Sequence, residues 1–288
     1  MTLAPVPRIA RIALNVADLE AACAFYTGAL GFRRTTAAGS DPSAEAAILR
    51  LGSQALELRV CGGRPYPEPR AANDPWFQHF AIAVSDMDRA YQRLSGYAQQ
   101  PISRGGPQWL PPSTGSVTAY KFRDPDGHPL ELSYIPGSAW LAQPGREDDE
   151  PCLGIDHSGL AVGDLADSIA FYSDVLGFSP AGEGLNHGPE QDRLDGLDHA
   201  RVDIASLNGA EGPHIELLHY RSPQPALTSR PVGHDDIAAT RLILSVADMR
   251  DIERKLEAAR ISSTAIGAAQ QRRLIRDPNG HWLELGGP

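Results

Sequence analysis

Apolar and polar positions fall into short runs that return four times along the chain. Each run ends in Val, one further residue, Asp, then Leu or Met: Val16-Ala17-Asp18-Leu19, Val84-Ser85-Asp86-Met87, Val162-Gly163-Asp164-Leu165 and Val246-Ala247-Asp248-Met249. Before each Val the residues alternate with period two, as in a strand. Phe80, Ile82 and Val84 share one face, and His79, Ala81 and Ala83 share the other. After each Asp the spacing becomes helical, as in Leu19 to Tyr26, which holds no breaker. The Asp suits a helix N-cap, because its carboxylate accepts otherwise orphaned backbone N–H groups. Leu30-Gly31-Phe32 and Leu176-Gly177-Phe178 supply a Gly for a left-handed helix end. Asp124-Pro125-Asp126-Gly127 and Asp277-Pro278-Asn279-Gly280 are turn signals that feed the last strands.

The predicted order is strand, helix, three strands, repeated over modules 8–63, 76–136, 154–221 and 236–287. A repeat of roughly 70–85 residues is too long for a solenoid unit and fits small duplicated modules. The fold class expected is α+β, with four βαβββ modules in two tandem domains, 1–136 and 153–288, joined by a linker at 137–152. That linker carries the acidic run Glu147-Asp148-Asp149-Glu150 and reads as exposed, leaving the halves freely positioned. The third module holds extra sequence, Ala181 to Asp198, expected as a loop at the mouth of a site.

Alternation also exposes candidate chemistry. Five residues before the repeated Val stand Arg11, His79, His157 and Arg241. On the closing strands a Glu opposes the apolar set in every module: Glu57, Glu131, Glu216 and Glu284. These polar sets should face an open concavity while the apolar sets pack under the helices.

Composition narrows the class. A net charge of −10 without a basic cluster argues against nucleic acid or an anionic membrane as partner. No apolar run approaches the roughly 20 residues of a membrane-spanning helix. The first eight residues lack an apolar signal core, so a cytoplasmic protein is expected. Three scattered cysteines form neither a disulfide framework nor a zinc knuckle, and Cys23 reads as core filler. The expected partner is a small molecule, and the chain a monomer or homodimer.

Val-x-Asp-Leu after a strand, Phe-Tyr followed by Leu-Gly-Phe, and Asp-Pro-x-Gly-x-x-x-Glu together resemble the vicinal oxygen chelate superfamily. That group holds glyoxalase I, extradiol dioxygenases, metal-dependent epimerases and bleomycin or fosfomycin resistance proteins. The resemblance covers nearly the whole chain and is specific for paired βαβββ modules, less so for a reaction. It implies a cup between two modules, with metal ligands on the first and last strand of each. The matching positions are Arg11 and Glu57, His79 and Glu131, His157 and Glu216, and Arg241 and Glu284.

Two pairings follow. Joining modules one with two and three with four gives two half-broken sites. Joining two with three and one with four gives one cup with His79, Glu131, His157 and Glu216, and another with Arg11, Glu57, Arg241 and Glu284. The second is preferred because it explains why the ligand type switches between modules. The full set suits one divalent ion among Zn, Ni, Co, Fe and Mn, with Glu131 or Glu216 as a base that removes a proton next to a carbonyl. The other cup is expected to be silent, its Arg side chains offsetting Glu57 and Glu284; replacing both Arg by His should then raise the metal content from about one to about two per chain.

The leading expectation is a metal-dependent isomerase, epimerase or lyase acting through an enediolate. The rivals are an extradiol ring-cleaving dioxygenase and a metal-free binding protein of the resistance kind. Weaker candidates for substrate contact are His199, Arg201, Trp109 and Tyr120. His214 shares the face of Glu216, and Arg104-Gly105-Gly106 reads as a Gly turn or an anion loop. His128, His187, His234 and His281 read as surface residues.

Overall fold

The computed structural model describes residues 6–36, 45–142, 149–225, 232–267 and 270–287. Glu147 and Asp148 of the acidic run lie outside these. The first module comprises β1 (Arg8–Val16), α1 (Leu19–Leu30), β2 (Arg33–Arg34), β3 (Ala46–Leu51) and β4 (Gln54–Val60). The second has β5 (Gln78–Val84), α2 (Met87–Leu94), β6 (Gln100–Pro101), β7 (Gln108–Trp109), β8 (Thr118–Arg123) and β9 (Pro129–Tyr134). In the third are β10 (Cys152–Ala161), α3 (Leu165–Ala170), β11 (Ser179–His187), α4 (Pro189–Asp195), β12 (Arg201–Asn208) and β13 (His214–Ser222). The fourth has β14 (Arg241–Ser245), α5 (Met249–Ala258), β15 (Ser263–Ile266), β16 (Arg272–Arg276) and β17 (Trp282–Gly286).

Every repeated Asp caps its helix. Asp18 accepts from the Ala21 amide at 2.9 Å, Asp86 from Arg89 at 3.0 Å and Asp164 from Asp167 at 2.9 Å. Asp248 accepts from Arg250 at 2.9 Å and Asp251 at 3.1 Å. Gly31 and Gly177 end their helical segments at φ of 72° and 93°, where a side chain would be strained.

The strands form two sheets, and each sheet takes one module from each half. One runs β15-β16-β17-β14-β1-β4-β3-β2 and joins modules one and four. The other runs β11-β12-β13-β10-β5-β9-β8-β6 and joins modules two and three, with β7 added beside β8. The central seams, β1 with β14 and β5 with β10, are antiparallel. The alternative pairing, one with two and three with four within single sheets, is therefore excluded. On the convex faces the apolar sets meet the helices in one continuous core, from Leu14 and Tyr26 through Phe80 and Leu132 to Leu217 and Leu283, and Cys23 lies in it as read.

Two expectations need correction. The linker is not a free tether at its described ends. Trp140 Nε1 donates to Asp156 Oδ1 at 2.5 Å, and Glu150 pairs with Arg93 at 2.6 Å. His128 and His281 are buried, because each closes a contact between the sheets. His128 Nε2 donates to the Asn15 carbonyl at 2.8 Å, and His281 Nε2 to that of Ala161 at 2.8 Å. His187 and His234 are exposed.

Candidate metal centre

Four strands at the centre of the second sheet deliver the predicted residues to one concave face. Register sets Gly159 opposite His79, Ala81 beside Glu131, His157 beside His214 and Gly159 beside Glu216. Gly159 is required here: a Cβ on it would fall 2.2 Å from Cε1 of the His79 ring. Without a side chain at Gly159 the two imidazoles approach, with ring centroids 5.4 Å apart.

His79 Nε2 lies 3.3 Å from Glu131 Oε2, and His157 Nε2 lies 3.5 Å from Glu216 Oε2. One donor atom each from His79, Glu131 and His157 falls within 4.8 Å of the others. Both ring nitrogens of His79 are buried and lack a hydrogen-bond partner among the described residues. Buried polar atoms are nearly always satisfied, so an orphaned imidazole facing a carboxylate and a second imidazole suits a cation.

His157 is oriented from behind. Its Nδ1–H donates to Asp156 Oδ2 at 3.1 Å, and Asp156 in turn accepts from Trp140 of the linker. This leaves Nε2 free to coordinate, the arrangement in which a carboxylate fixes a ligand's tautomer. Glu216 is held from its other oxygen by His214 Nε2 at 3.4 Å. Glu131 stands 3.9 Å from Lys121 Nζ, which pairs with buried Asp195 at 2.6 Å. Gln191 and Tyr220 also donate to Asp195, at 2.7 and 3.1 Å.

Electrostatics follow from burial opposed by neighbours. Burial, helped by the charge of Lys121, lowers the His79 pKa, so its imidazole is neutral. Burial would lower His157 too, but the charges of Glu216 and Asp156 and the Asp156 hydrogen bond raise it to about 9. Burial would raise both carboxyls, yet His79 and Lys121 hold Glu131 below its ordinary value, and His157 and His214 depress Glu216 strongly. Lys121 is pushed down by burial but raised on balance by Asp195 and Glu131, so it stays charged.

The cup encloses about 420 Å³. Leu110, Val117 and Ile135 line it from module two, and Ile204, Ser206 and Leu218 from module three. The segment expected as a loop at its mouth does border it, through Glu183, Asn186, Gln191 and Leu194, but folds as β11 and α4.

None of the four weaker candidates lines this cavity. Tyr120 points to the opposite face of β8, packed against Tyr91 with centroids 4.8 Å apart. Trp109 is exposed on β7. His199 sits in a turn at φ 58°, and Arg201 is exposed at the start of β12. Alternation along β12 brings Ile204 and Ser206 to the cup, paired with Leu218 and Glu216, while the odd-numbered Asp203 and Ala205 take the other face. Lys121 escapes the sequence reading although its signal is there. It alternates with Tyr120 and Phe122 and pairs in register with Glu131. Asp195, Asp156 and Trp140 carry no comparable signal: Asp195 lies on α4, Trp140 in the linker, and Asp156 at a register irregularity of β10 between Ile155 and His157. Arg104 forms an ion pair with Asp198, and Gly105 and Gly106 take positive φ, so that segment is a Gly turn.

The opposite cup differs in kind. Glu57 pairs with Arg11 and Arg59, each at 3.2 Å. Arg241 does not offset Glu284 by direct contact as expected: its Nη2 donates to Asn15 Oδ1 at 2.9 Å, and Glu284 pairs with Arg272.

Residues 8–132 and 154–285 each match the model of the Glyoxalase/Bleomycin resistance protein/Dioxygenase superfamily. The chain belongs to this superfamily. Glyoxalase I from Zea mays is 19% identical over 98% of this chain and 92% of its own, with a TM-score of 0.67. A dioxygenase candidate from Bacillus subtilis subsp. subtilis str. 168 is 14% identical over 99% and 86%, with a TM-score of 0.62. These likenesses concern the fold alone. The uncharacterised protein YwbC of Bacillus subtilis (strain 168) is 29% identical over 46% of this chain and 94% of its own length.

Proposed function

We propose that the protein is a metal-dependent enzyme of the glyoxalase type, an isomerase, epimerase or lyase for a small molecule with adjacent oxygens. The observation that carries this reading is His79, buried with no aligned hydrogen bond at either ring nitrogen and with Nε2 facing Glu131, beside His157. His79, Glu131, His157 and Glu216 would hold one divalent ion. Two imidazoles and two carboxylates suit Zn, Ni, Co, Fe or Mn. A divalent ion bound there supplies Lewis acidity that polarises a substrate carbonyl and makes the neighbouring C–H acidic. The chain's own part is to move that proton. Glu131 and Glu216 flank the cavity from opposite modules, so either carboxylate reaches a substrate carbon from its own side and can return the proton there. Lys121, locked on Asp195, keeps Glu131 ionised and so free to accept a proton. Leu110, Ile135 and Leu218 keep water away from the reacting carbon.

A second reading rests on the compact subset His79, Glu131 and His157, since two imidazoles and one carboxylate also suit iron in oxygenases. Metal analysis of the purified protein followed by two assays separates the readings. Isotope exchange at the α-carbon of hydroxyacetone in deuterated solvent supports the first, and oxygen uptake with catechol supports the second. A protein that binds no divalent ion defeats both.

A further inference from the structure

A cavity of about 720 Å³, larger than the metal cup and sharing no lining residue with it, opens between the helical segment of module three and module four. Its walls include Asp167, Phe171, Asp174, Ala259 and Ile261. The helix loosens there into π-type hydrogen bonding over Phe171–Val175, a local departure frequent at functional sites. The corresponding groove in the N-terminal half shows what fits. Counting from the shared motifs without a gap, Phe25 corresponds to Phe171 and Gly28 to Asp174, while Tyr97 corresponds to Ala259 and Arg93 to Lys255.

In the N-terminal half the groove is filled by the chain itself. The Tyr97 ring stands edge-on to Phe25, centroids 6.4 Å apart. A Cβ on Gly28 would fall 2.6 Å from the Tyr97 hydroxyl, so a side chain at 28 and the Tyr ring exclude each other. Arg93 lies across the same helix, donating to the Gly28 carbonyl at 2.8 Å and pairing with Glu150. In the C-terminal half all three fillings are absent at the matching positions. Ala259 removes the ring, Asp174 adds a carboxylate, and Lys255 turns to Asp251 at 3.4 Å on its own helix. Phe171 remains as the floor. Arg276, also on the wall, is directed to the Val232 carbonyl at 2.8 Å and lies 4.1 Å over the Trp282 ring.

We propose that this groove binds a small aryl-alkylammonium compound. Its ring rests on Phe171 in the space that Ala259 leaves open, displaced from the Tyr97 position by the Asp174 side chain, and its ammonium pairs with Asp174, with Asp167 adding to the negative field. The volume lies in the range of small-molecule sites, and the proposal is independent of the metal cup.

Tyramine is the probe, titrated into the full chain by calorimetry and by ligand-observed NMR. The expected result is saturable one-to-one binding, with a Kd of about 1 mM or tighter for a ligand of this size. Ala259→Tyr combined with Asp174→Gly, which restores the internal plug, and Asp174→Asn, which removes the charge at an exposed position, should each weaken binding at least tenfold. 3-Phenylpropionate, which carries a carboxylate in place of the ammonium, should not bind. Absence of saturable tyramine binding overturns the proposal. So does binding undiminished in Asp174→Asn, or binding lost in His79→Ala and retained in Asp174→Asn, which would place the ligand in the cup.

Discussion

The Tyr26 hydroxyl donates to Asp124 Oδ2 at 2.6 Å, joining a helix of the first module to a turn of the second. Tyr172 makes the same bond to Asp277 Oδ2 at 3.1 Å between modules three and four. In both turns the other carboxylate oxygen accepts the amide four residues on, from His128 and His281, each at 2.8 Å. The Phe-Tyr and Asp-Pro-x-Gly motifs are thus two halves of one buried latch, made twice. Each latch ties a module of one sheet to a module of the other.

Removing one hydroxyl leaves a buried carboxylate oxygen short of a donor. Tyr26→Phe and Tyr172→Phe should each lower stability by about 1–3 kcal/mol, read as a shift of the urea midpoint at unchanged slope. An unaltered midpoint in both variants would show that water replaces the hydroxyls.

His79→Ala and His157→Ala should each remove most of the bound divalent ion, measured by elemental analysis after dialysis. Asp156→Asn, which keeps the shape but weakens the hold on His157 Nδ1, should lower affinity by about tenfold to a hundredfold. Full occupancy in both His variants would remove the cup from consideration as a metal site.

Affinity for the ion should rise with pH. The metal-free His157 carries a proton up to about 9, and coordination must displace it, so apparent affinity should climb by up to roughly tenfold per pH unit until that point. Stability of the metal-free fold moves the opposite way. A folded pKa above the unfolded value of about 6.5 means the contribution is complete below that pH and fades as pH rises through 9. Proton release on binding, followed in weakly buffered solution, checks the first statement, and denaturation from pH 6 to 10 checks the second.

Glu131→Gln and Glu216→Gln keep size and lose basicity. One of them should lower turnover by about a hundredfold or more and abolish solvent exchange at the substrate α-carbon. Equal and modest losses in both would show that neither is the base.

Replacing Arg11 and Arg241 together by His should leave the metal content at one per chain. The sequence alone suggests a second site, but Arg59 and Arg272 still hold Glu57 and Glu284 in the opposite cup. Their guanidinium groups cannot be deprotonated to coordinate. Elemental analysis of the folded double variant would decide, and two ions per chain would contradict this account.

Much of the cup is readable because a strand repeats every two residues. Once His79 and Glu131 are placed opposite Phe80 and Leu130, only register remains, and the switch from Arg to His points to the right module pairing. The same rule assigns Lys121, not Tyr120, to the cup face. His199 and Arg201 fail for another reason: His199 lies in a positive-φ bend before β12, and the polar odd-numbered positions of that strand face away from Ser206 and Glu216. Asp156 is reached from Trp140 of the linker, and Asp195 from a helix inside an insertion. Partners brought together by irregular backbone leave no periodic trace in a sequence. His128 and His281 read as turn residues on the surface because their burial depends on sheet-to-sheet packing.

The seam between β5 and β10 is also where the two halves of the chain meet within one sheet. An ion held by His79 and Glu131 on one side and His157 and Glu216 on the other would act as a crosslink across it, so binding free energy becomes cohesion between the halves. At a free concentration a hundred times the dissociation constant, that linkage adds about 2.7 kcal/mol. The ion would then be a fastening as well as a reagent, and the grip of one half of the chain on the other would rise and fall with the supply of metal.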